Sequence, residues 1–131
     1  MGAAHYYATS DPETFTGLRR RFDLILNTVS GNLELDRYLD LVARGGTFVE
    51  LGLPIEPLSI KTPSLLAPRV SVGGSMIGGV AQTQEMLDFA AGHGIATEIE
   101  LVDADQINQA YDRVVASDVL YRFVIDVDSM R

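Results

Sequence analysis

The run from Phe22 to Val29, FDLILNTV, is the feature that most restricts how this chain can fold. Its residues are nearly all apolar, without the strict alternation of apolar and polar side chains that marks a strand with one solvated face. Strands of parallel sheets have this composition because helices cover both faces of such sheets. The run therefore predicts a buried strand in an α/β protein.

Helical and strand-like patterns alternate through the rest of the chain. Leu35, Tyr38, Leu39 and Val42 fall at helical spacing, and Gly45-Gly46 is expected to end that helix. Other segments are predicted from their patterns: strands at 47–51, 70–77, 99–102 and 121–127, and helices at 12–21, at 82–93 and after a capping box at 103–106. This alternation predicts βαβ units with right-handed crossovers.

Composition argues against several kinds of site. The net charge of −8 at pH 7 disfavours nucleic acid and anionic membranes as partners, because both select basic surfaces. The sequence has no cysteine, and its two histidines, His5 and His93, are far apart, so neither a disulfide nor a zinc site is expected. No apolar run approaches the roughly 20 residues that span a bilayer. No signal peptide is visible, so a cytoplasmic location is expected.

Three strand ends carry small or polar residues in a suggestive order. Residues 27–30 follow the first strand, residues 50–54 the second, and residues 74–79 the third. Ligands of open α/β sheets bind outside the carboxyl ends of the strands, where small residues let the backbone approach a flat ring closely. Each segment alone is also compatible with an ordinary strand end or turn. Their common position makes them the candidate ligand-binding segments.

Longer stretches, taken in order, are more specific. The run FDLILNTVSGNLELDRYLDLVARGGTFVELGLP is followed by SVGGSMIGG, QTQEMLDFAAGHGI, EIE, DQINQAYDRVVASDV and YRFVIDV. This series resembles the zinc-dependent medium-chain alcohol dehydrogenases, and among them the cinnamyl-alcohol-dehydrogenase-like, NADP-dependent aldehyde reductases. The resemblance extends from Gly2 to Val127.

The resemblance implies a fold and a division of the chain. Residues 1–95 would form the second half of a Rossmann-type parallel sheet with flanking helices. Residues 96–131 would form the C-terminal return segment, which completes the catalytic domain in the family. The GxGxxG turn that holds the cofactor pyrophosphate is not in this sequence, and neither are the cysteine and histidine ligands of zinc. We therefore expect a fragment of an alcohol dehydrogenase, inactive alone, without catalytic or metal-binding residues of its own.

The same resemblance assigns cofactor-binding roles to ten residues. One group would lie along the ribose side of NADP or NAD, one would line the nicotinamide end, and one would offer backbone groups to the carboxamide and apolar contact to the ring. These groups are Thr28, Val29 and Ser30; Gly52, Leu53 and Pro54; and Ser75, Met76 and Ile77. Arg122 resembles a basic residue that approaches the cofactor phosphates. A solvated strand residue is an equally good interpretation of it.

Three functional hypotheses follow. The first is the oxidoreductase fragment, whose parent enzyme interconverts alcohols and aldehydes with NADP or NAD. The second is a free-standing, non-catalytic dimer, and the third is a small flavodoxin-like binding module, which the glycine-rich third strand fits poorly. The resemblance also implies a homodimer, in which the strand 70–77 lies at the outer edge of the sheet and pairs antiparallel with its copy across a two-fold axis. The sequence supports this prediction, because the strand is uncharged and natural edge strands left in solvent usually carry protective charges.

Overall fold

The computed structural model describes residues 3–130 and divides the chain into two compact units, Met1–Ile77 and Gly78–Arg131. The predicted division at residue 95, which follows the family's domain organisation, stays a prediction. The first unit contains α1 (Pro12–Gly17), β1 (Phe22–Asn27), α2 (Leu35–Leu39), β2 (Val42–Glu50), α3 (Thr62–Leu66) and β3 (Ser71–Gly74). The second contains α4 (Val80–Gly92), β4 (Glu100–Val102), α5 (Ile107–Val115) and β5 (Phe123–Ile125), with short 3-10 helices at Ala104–Gln106 and Val127–Met130.

The first unit is built on a parallel sheet with the strand order β1-β2-β3. One apolar face of the sheet packs on α2, and the fully buried side chains are Leu35 and Leu39 of that helix and Val42 and Phe48 of β2. Val70, which precedes β3, completes this core. The predicted α/β class with a parallel sheet is therefore confirmed. The prediction that β1 is buried was wrong, because its Leu24 and Leu26 are more than half exposed.

The second unit contains a separate parallel pair, β4 and β5. The predicted capping box is present, because the Asp103 N–H donates to the side chain of Gln106 at 3.0 Å. Gly94 follows α4 with φ +63°, the left-handed conformation that suits glycine after a helix. Ala110 of α5 is buried, so the inward face of this short helix packs on its own unit.

The helix predicted through Val42 ends instead at Leu39, and Val42 is the first residue of β2. The Arg20 guanidinium donates hydrogen bonds to the carbonyl oxygens of Leu39 and Val42, each at 3.1 Å. The first of these bonds occupies the carbonyl group at the end of α2, and the helix stops there. Gly45-Gly46 lies inside β2, at the irregularity in its pairing with β1. A Cβ on Gly46 would lie 2.8 Å from the Asp23 carbonyl oxygen. These glycines therefore serve a bulged strand rather than a helix end.

Several predicted elements are longer than the observed ones. The predicted strand 70–77 is reduced to Ser71–Gly74 because β2, its neighbour, ends at Glu50, which pairs with Gly74. The predicted strand 121–127 is reduced to Phe123–Ile125, because β4 offers it only three partners. The strand predicted at 22–29 ends at Asn27, and the first helix ends at Gly17 rather than residue 21. Pairing length, which the sequence of one strand does not contain, sets these limits.

Candidate functional site

The carboxyl ends of the three strands of the first unit lie side by side. Asn27 pairs with Glu50, and Glu50 pairs with Gly74, so the strands finish in register. The segments that follow, residues 28–30, 52–54 and 75–77, leave the sheet from neighbouring positions; together we call them the carboxyl edge. The structure thus brings together the nine predicted cofactor residues that belong to the first unit.

The first two segments of the carboxyl edge touch each other. The Leu53 N–H donates to the Ser30 hydroxyl at 3.2 Å. Gly52 approaches the backbone of Val29 so closely that a Cβ on Gly52 would lie 2.2 Å from the Val29 carbonyl oxygen. Only glycine fits between these two turns without moving one of them. The close approach that the sequence suggested for a ligand is here made by the protein's own backbone.

The third segment continues from the sheet without strand pairing. The Ser75 N–H donates to the Glu50 carbonyl oxygen at 3.1 Å, and the next two residues carry exposed apolar side chains. Met76 is 82% exposed and Ile77 is 96% exposed, and Leu53 of the second segment is 73% exposed. Apolar side chains without cover, next to polar strand ends, are typical of a surface that meets a partner or ligand.

Two polar side chains at this edge were missed by the sequence analysis as site residues. Asn27 and Glu50 are half-buried at the last positions of β1 and β2. The Asn27 amide nitrogen donates to both Glu50 carboxylate oxygens, at 2.9 and 2.8 Å. The sequence analysis included both residues in the candidate ligand-binding segments but gave neither a role, because the sequence of one strand does not show which residue pairs with it.

Positive charge in the first unit gathers at the opposite end of the sheet. Arg20, Arg44, Ala67 and Pro68 line a depression beside the starts of the strands, and Arg20 pairs with Asp40 at 2.8 Å. The last residue of β2, at the carboxyl edge, is instead a carboxylate, Glu50. An anionic phosphate is therefore favoured less at this edge than an uncharged or cationic ring.

Arg122 belongs to the second unit, where it is exposed and immediately precedes β5. Its carbonyl oxygen accepts a hydrogen bond from the Glu100 N–H at 3.0 Å, so its backbone has a role in the sheet of that unit. Both interpretations of its side chain, as a phosphate contact or as a solvated strand residue, stay open.

An ion-paired network organises the second unit. The Arg113 guanidinium contacts the carboxylates of Glu100 and Asp118 and lies 4.7 Å from the centre of the Phe123 ring. The pKa of Glu100 is held below its ordinary value, first by the Leu120 N–H and then by Arg113. The pKa of Arg113 is raised by its two carboxylate partners, Glu100 first and then Asp118. This network joins α5 to β4, and we interpret it as a structural contact of the second unit.

An open apolar pocket of about 200 Å³ lies on the same unit. Its lining comes from α5 and from the two strands: Val102, Ile107, Ala110, Tyr111, Val114, Phe123 and Ile125. No titratable carboxylate or imidazole is among these residues. The pocket can therefore accept an apolar group, and the Tyr111 hydroxyl is the one polar side-chain group in its lining.

The residues present do not fit a zinc ion. The sequence has no cysteine, and residues 3–130 contain no cluster of three histidine, aspartate or glutamate side chains that could hold a metal. Among the same described residues, none of the helices is both long enough and apolar enough to cross a membrane.

Parallel α/β sheets occur in many nucleotide-binding proteins, in which the ligand lies outside the carboxyl ends of the strands, and comparison with known proteins specifies the family. The model of the zinc-binding dehydrogenases matches residues 1–92, so the chain belongs to that family.

Individual relatives agree with this assignment. NADP-dependent alcohol dehydrogenase C 1 of Mycolicibacterium smegmatis is 59% identical over all 131 residues, which correspond to 38% of that protein. Aldehyde reductase YahK of Escherichia coli is 44% identical over 127 residues, 96% of this chain and 36% of its own length. The solved structure of a cinnamyl alcohol dehydrogenase from Sorghum bicolor aligns with a TM-score of 0.88 at 35% identity, covering 97% of this chain and 36% of that one. The chain thus spans little more than a third of the length of these relatives.

Proposed function

We propose that this chain supplies the nicotinamide side of the cofactor cleft of an NADP-dependent alcohol dehydrogenase or aldehyde reductase. The observation that carries the proposal is the register of Asn27, Glu50 and Gly74, which brings three small-residue segments to one edge. The identity of 59% with an enzyme named as an NADP-dependent alcohol dehydrogenase supports the cofactor.

Within this proposal each segment has its own role. Thr28–Ser30 borders the ribose, Gly52–Pro54 lines the nicotinamide end, and Ser75–Ile77 offers backbone groups to the carboxamide and apolar contact to the ring. The bound nicotinamide supplies the chemistry, by accepting or donating a hydride. The chain's own contribution is to orient the ring and to keep water from one side of it.

The isolated chain is proposed to be inactive. Two facts support this: the sequence lacks the GxGxxG turn that anchors the pyrophosphate, and the arginines of the first unit gather at the opposite end of the sheet. The zinc ligands of the family are also not in this sequence. Contacts to the nicotinamide ring alone are expected to give little affinity. The phosphates are the part of the cofactor that a helix N-terminus binds, and this chain has no such anchor in its sequence.

We also propose that two copies pair through β3. This strand lies at the end of the order β1-β2-β3 and has exposed residues throughout. Ser71, Val72, Gly73 and Gly74 carry no charge, whereas unpaired edges are usually protected by charge or proline. A two-fold contact between like strands closes the assembly with one self-complementary surface.

A chimera tests the proposed function. The segment of the Mycolicibacterium smegmatis enzyme that matches this chain, 38% of its length, is replaced by this chain, and NADPH-dependent aldehyde reduction is measured. The chimera is expected to keep kcat/KM within about tenfold of the intact enzyme, which corresponds to about 1.4 kcal/mol. A chimera that folds with a single sharp melt but neither binds NADPH nor reduces aldehydes would reject the proposal.

A matched pair of variants sharpens the test. Leu53 is 73% exposed at the carboxyl edge, and Leu66 is 71% exposed in α3. Leu53→Asp is expected to raise the KM for NADPH in the chimera, whereas Leu66→Asp is expected to leave it unchanged. Equal effects of the two substitutions would mean that the carboxyl edge does not face the cofactor.

A further inference from the structure

The side chains of Asn27 and Glu50 control more of the carboxyl edge than their own contact. The Asn27 side-chain oxygen accepts the Val29 N–H at 3.2 Å. One Glu50 carboxylate oxygen accepts the Gly52 N–H at 3.0 Å. The Glu50 carbonyl oxygen accepts the Ser75 N–H. The Gly52 N–H is shared with the Asn27 carbonyl oxygen, also at 3.0 Å. The two side chains therefore hold a backbone N–H in each of the first two segments, and the Glu50 backbone holds one in the third.

The orientation of the Asn27 amide is determined by this arrangement. Its oxygen faces the Val29 N–H and its nitrogen faces the Glu50 carboxylate. A flipped amide would turn its NH₂ group toward the Val29 N–H and its oxygen toward the carboxylate, so both contacts would be lost. The pair is therefore directional, with the donor on β1 and the acceptor on β2.

The charge of Glu50 is met by amide donors alone. None of the ion pairs found in the described part of the chain includes Glu50. Its oxygens accept from the Asn27 side chain and the Gly52 backbone. Hydrogen bonds to an ionised acceptor are shorter and stronger than neutral ones, and a half-buried carboxylate is costly without such donors. A carboxylate at this position is therefore best explained by the turn that it holds.

We infer that Glu50 is a positioning residue of the cofactor edge, which acts through Asn27 and Gly52 to set the separation of the first two segments. This inference rests on the proposed function for its link to the cofactor. The geometric part stands on the hydrogen bonds alone, and the two parts are tested by separate measurements.

The decisive variants exchange the chemistry of the pair. Asn27→Asp places two carboxylates against each other, and Glu50→Gln sets an amide nitrogen against the Asn27 nitrogen. The double variant Asn27→Asp/Glu50→Gln restores a donor and an acceptor in reversed order. It also keeps an acceptor for each of the Val29 and Gly52 N–H groups. A merely structural need for volume would not distinguish the double variant from Asn27→Asp, because the exchange of Asn for Asp and that of Glu for Gln each leave the size of the side chain nearly unchanged.

The first measurement uses the 131-residue chain and follows the backbone amide signals of Val29 and Gly52 by nuclear magnetic resonance. We expect both signals to shift in Asn27→Asp, to shift less in Glu50→Gln, and to return toward the wild-type positions in the double variant. Glu34→Gln, the same change at an exposed carboxylate of the first unit, is the matched control. Unmoved signals in the single variants, or a double variant no closer to wild type than Asn27→Asp, would overturn the inference.

The second measurement uses the chimera with NADPH as the probe. Asn27→Asp is expected to raise the KM for NADPH by at least about tenfold, since small misplacements of positioning groups have effects of this order or larger, and the double variant is expected to recover most of it. An unchanged KM with shifted amide signals would overturn the role in cofactor positioning. A wild-type chimera without activity would reject the proposed function, while the amide signals still decide the geometric claim.

Discussion

Arg113 of α5 donates a hydrogen bond of 2.8 Å to the carboxylate of Glu100 on β4. The contact joins the helix and the sheet of the second unit, and it lowers the pKa of Glu100 together with the Leu120 N–H, which contributes more. The same carboxylate therefore holds two segments that are distant in sequence, and its protonation state matters to the fold of this unit.

Acid is expected to destabilise the second unit through Glu100. A carboxyl whose pKa is lowered in the folded state stabilises that state above its unfolded pKa, here the ordinary value of 4.5, and the stabilisation is lost as the pH falls through the lower, folded pKa. Thermal melts from pH 6 downward should show the melting temperature decreasing below about pH 4.5. The variant Glu100→Gln should melt lower at pH 6 and depend less on pH. An identical pH dependence in the two proteins would contradict the prediction.

Gly52→Ala is expected to destabilise the first unit. The new Cβ would meet the Val29 carbonyl oxygen at 2.2 Å, and backbone atoms cannot yield as a flexible side chain can. Forced overpacking of this kind typically costs about 1–3 kcal/mol. Chemical denaturation gives the free energy of unfolding. Gly92→Ala, at the end of α4 where a Cβ meets nothing within 4 Å, is the control and is expected to be neutral or stabilising.

NADPH is expected not to bind saturably to the isolated chain at micromolar concentration. The chain keeps the apolar residues proposed for the nicotinamide but lacks the pyrophosphate anchor in its sequence. Titration by calorimetry, or by the fluorescence of NADPH, measures this directly. A micromolar dissociation constant would show that the carboxyl edge needs no anchor from the rest of the family fold.

Val72→Lys is expected to disrupt the proposed dimer. Val72 lies in β3 and is 37% exposed. None of residues 70–79 is charged. A lysine near the two-fold axis would place two like charges together. Light scattering should find a dimer for the wild type and a monomer or aggregate for the variant. A wild-type chain that is monomeric at high concentration, or a lysine variant that remains a dimer, would exclude β3 as the interface.

The sequence predicted the kinds of element better than their lengths. Phe22–Asn27 was found as a strand because its apolar composition is local information, but its end depends on where β2 stops. Val42 was assigned to a helix from its spacing, whereas Arg20 ends that helix by a contact 22 residues away in the chain. Tertiary contacts of this kind outweigh local pattern and cannot be read from one segment.

The candidate site was predicted in part. The three segments were recognised as strand ends, and parallel pairing brings them to one edge as expected. The Asn27–Glu50 pair was missed because neither residue alone differs from an ordinary polar strand end. Their significance depends on the register that sets Asn27 beside Glu50, and register between strands is a property of the assembled sheet.

The parallel register also has a consequence for the synthesis of the chain. Asn27 and Glu50, which pair at the carboxyl edge, are 23 residues apart, and at about 5–20 residues per second a ribosome needs roughly one to five seconds to add that length. During this interval β1 has been synthesised but its partner strand is not yet complete. Leu24 and Leu26 remain more than half exposed even in the finished unit. Until β2 is complete β1 has no strand to pair with, and its apolar side chains are available to chaperones that hold extended apolar polypeptide.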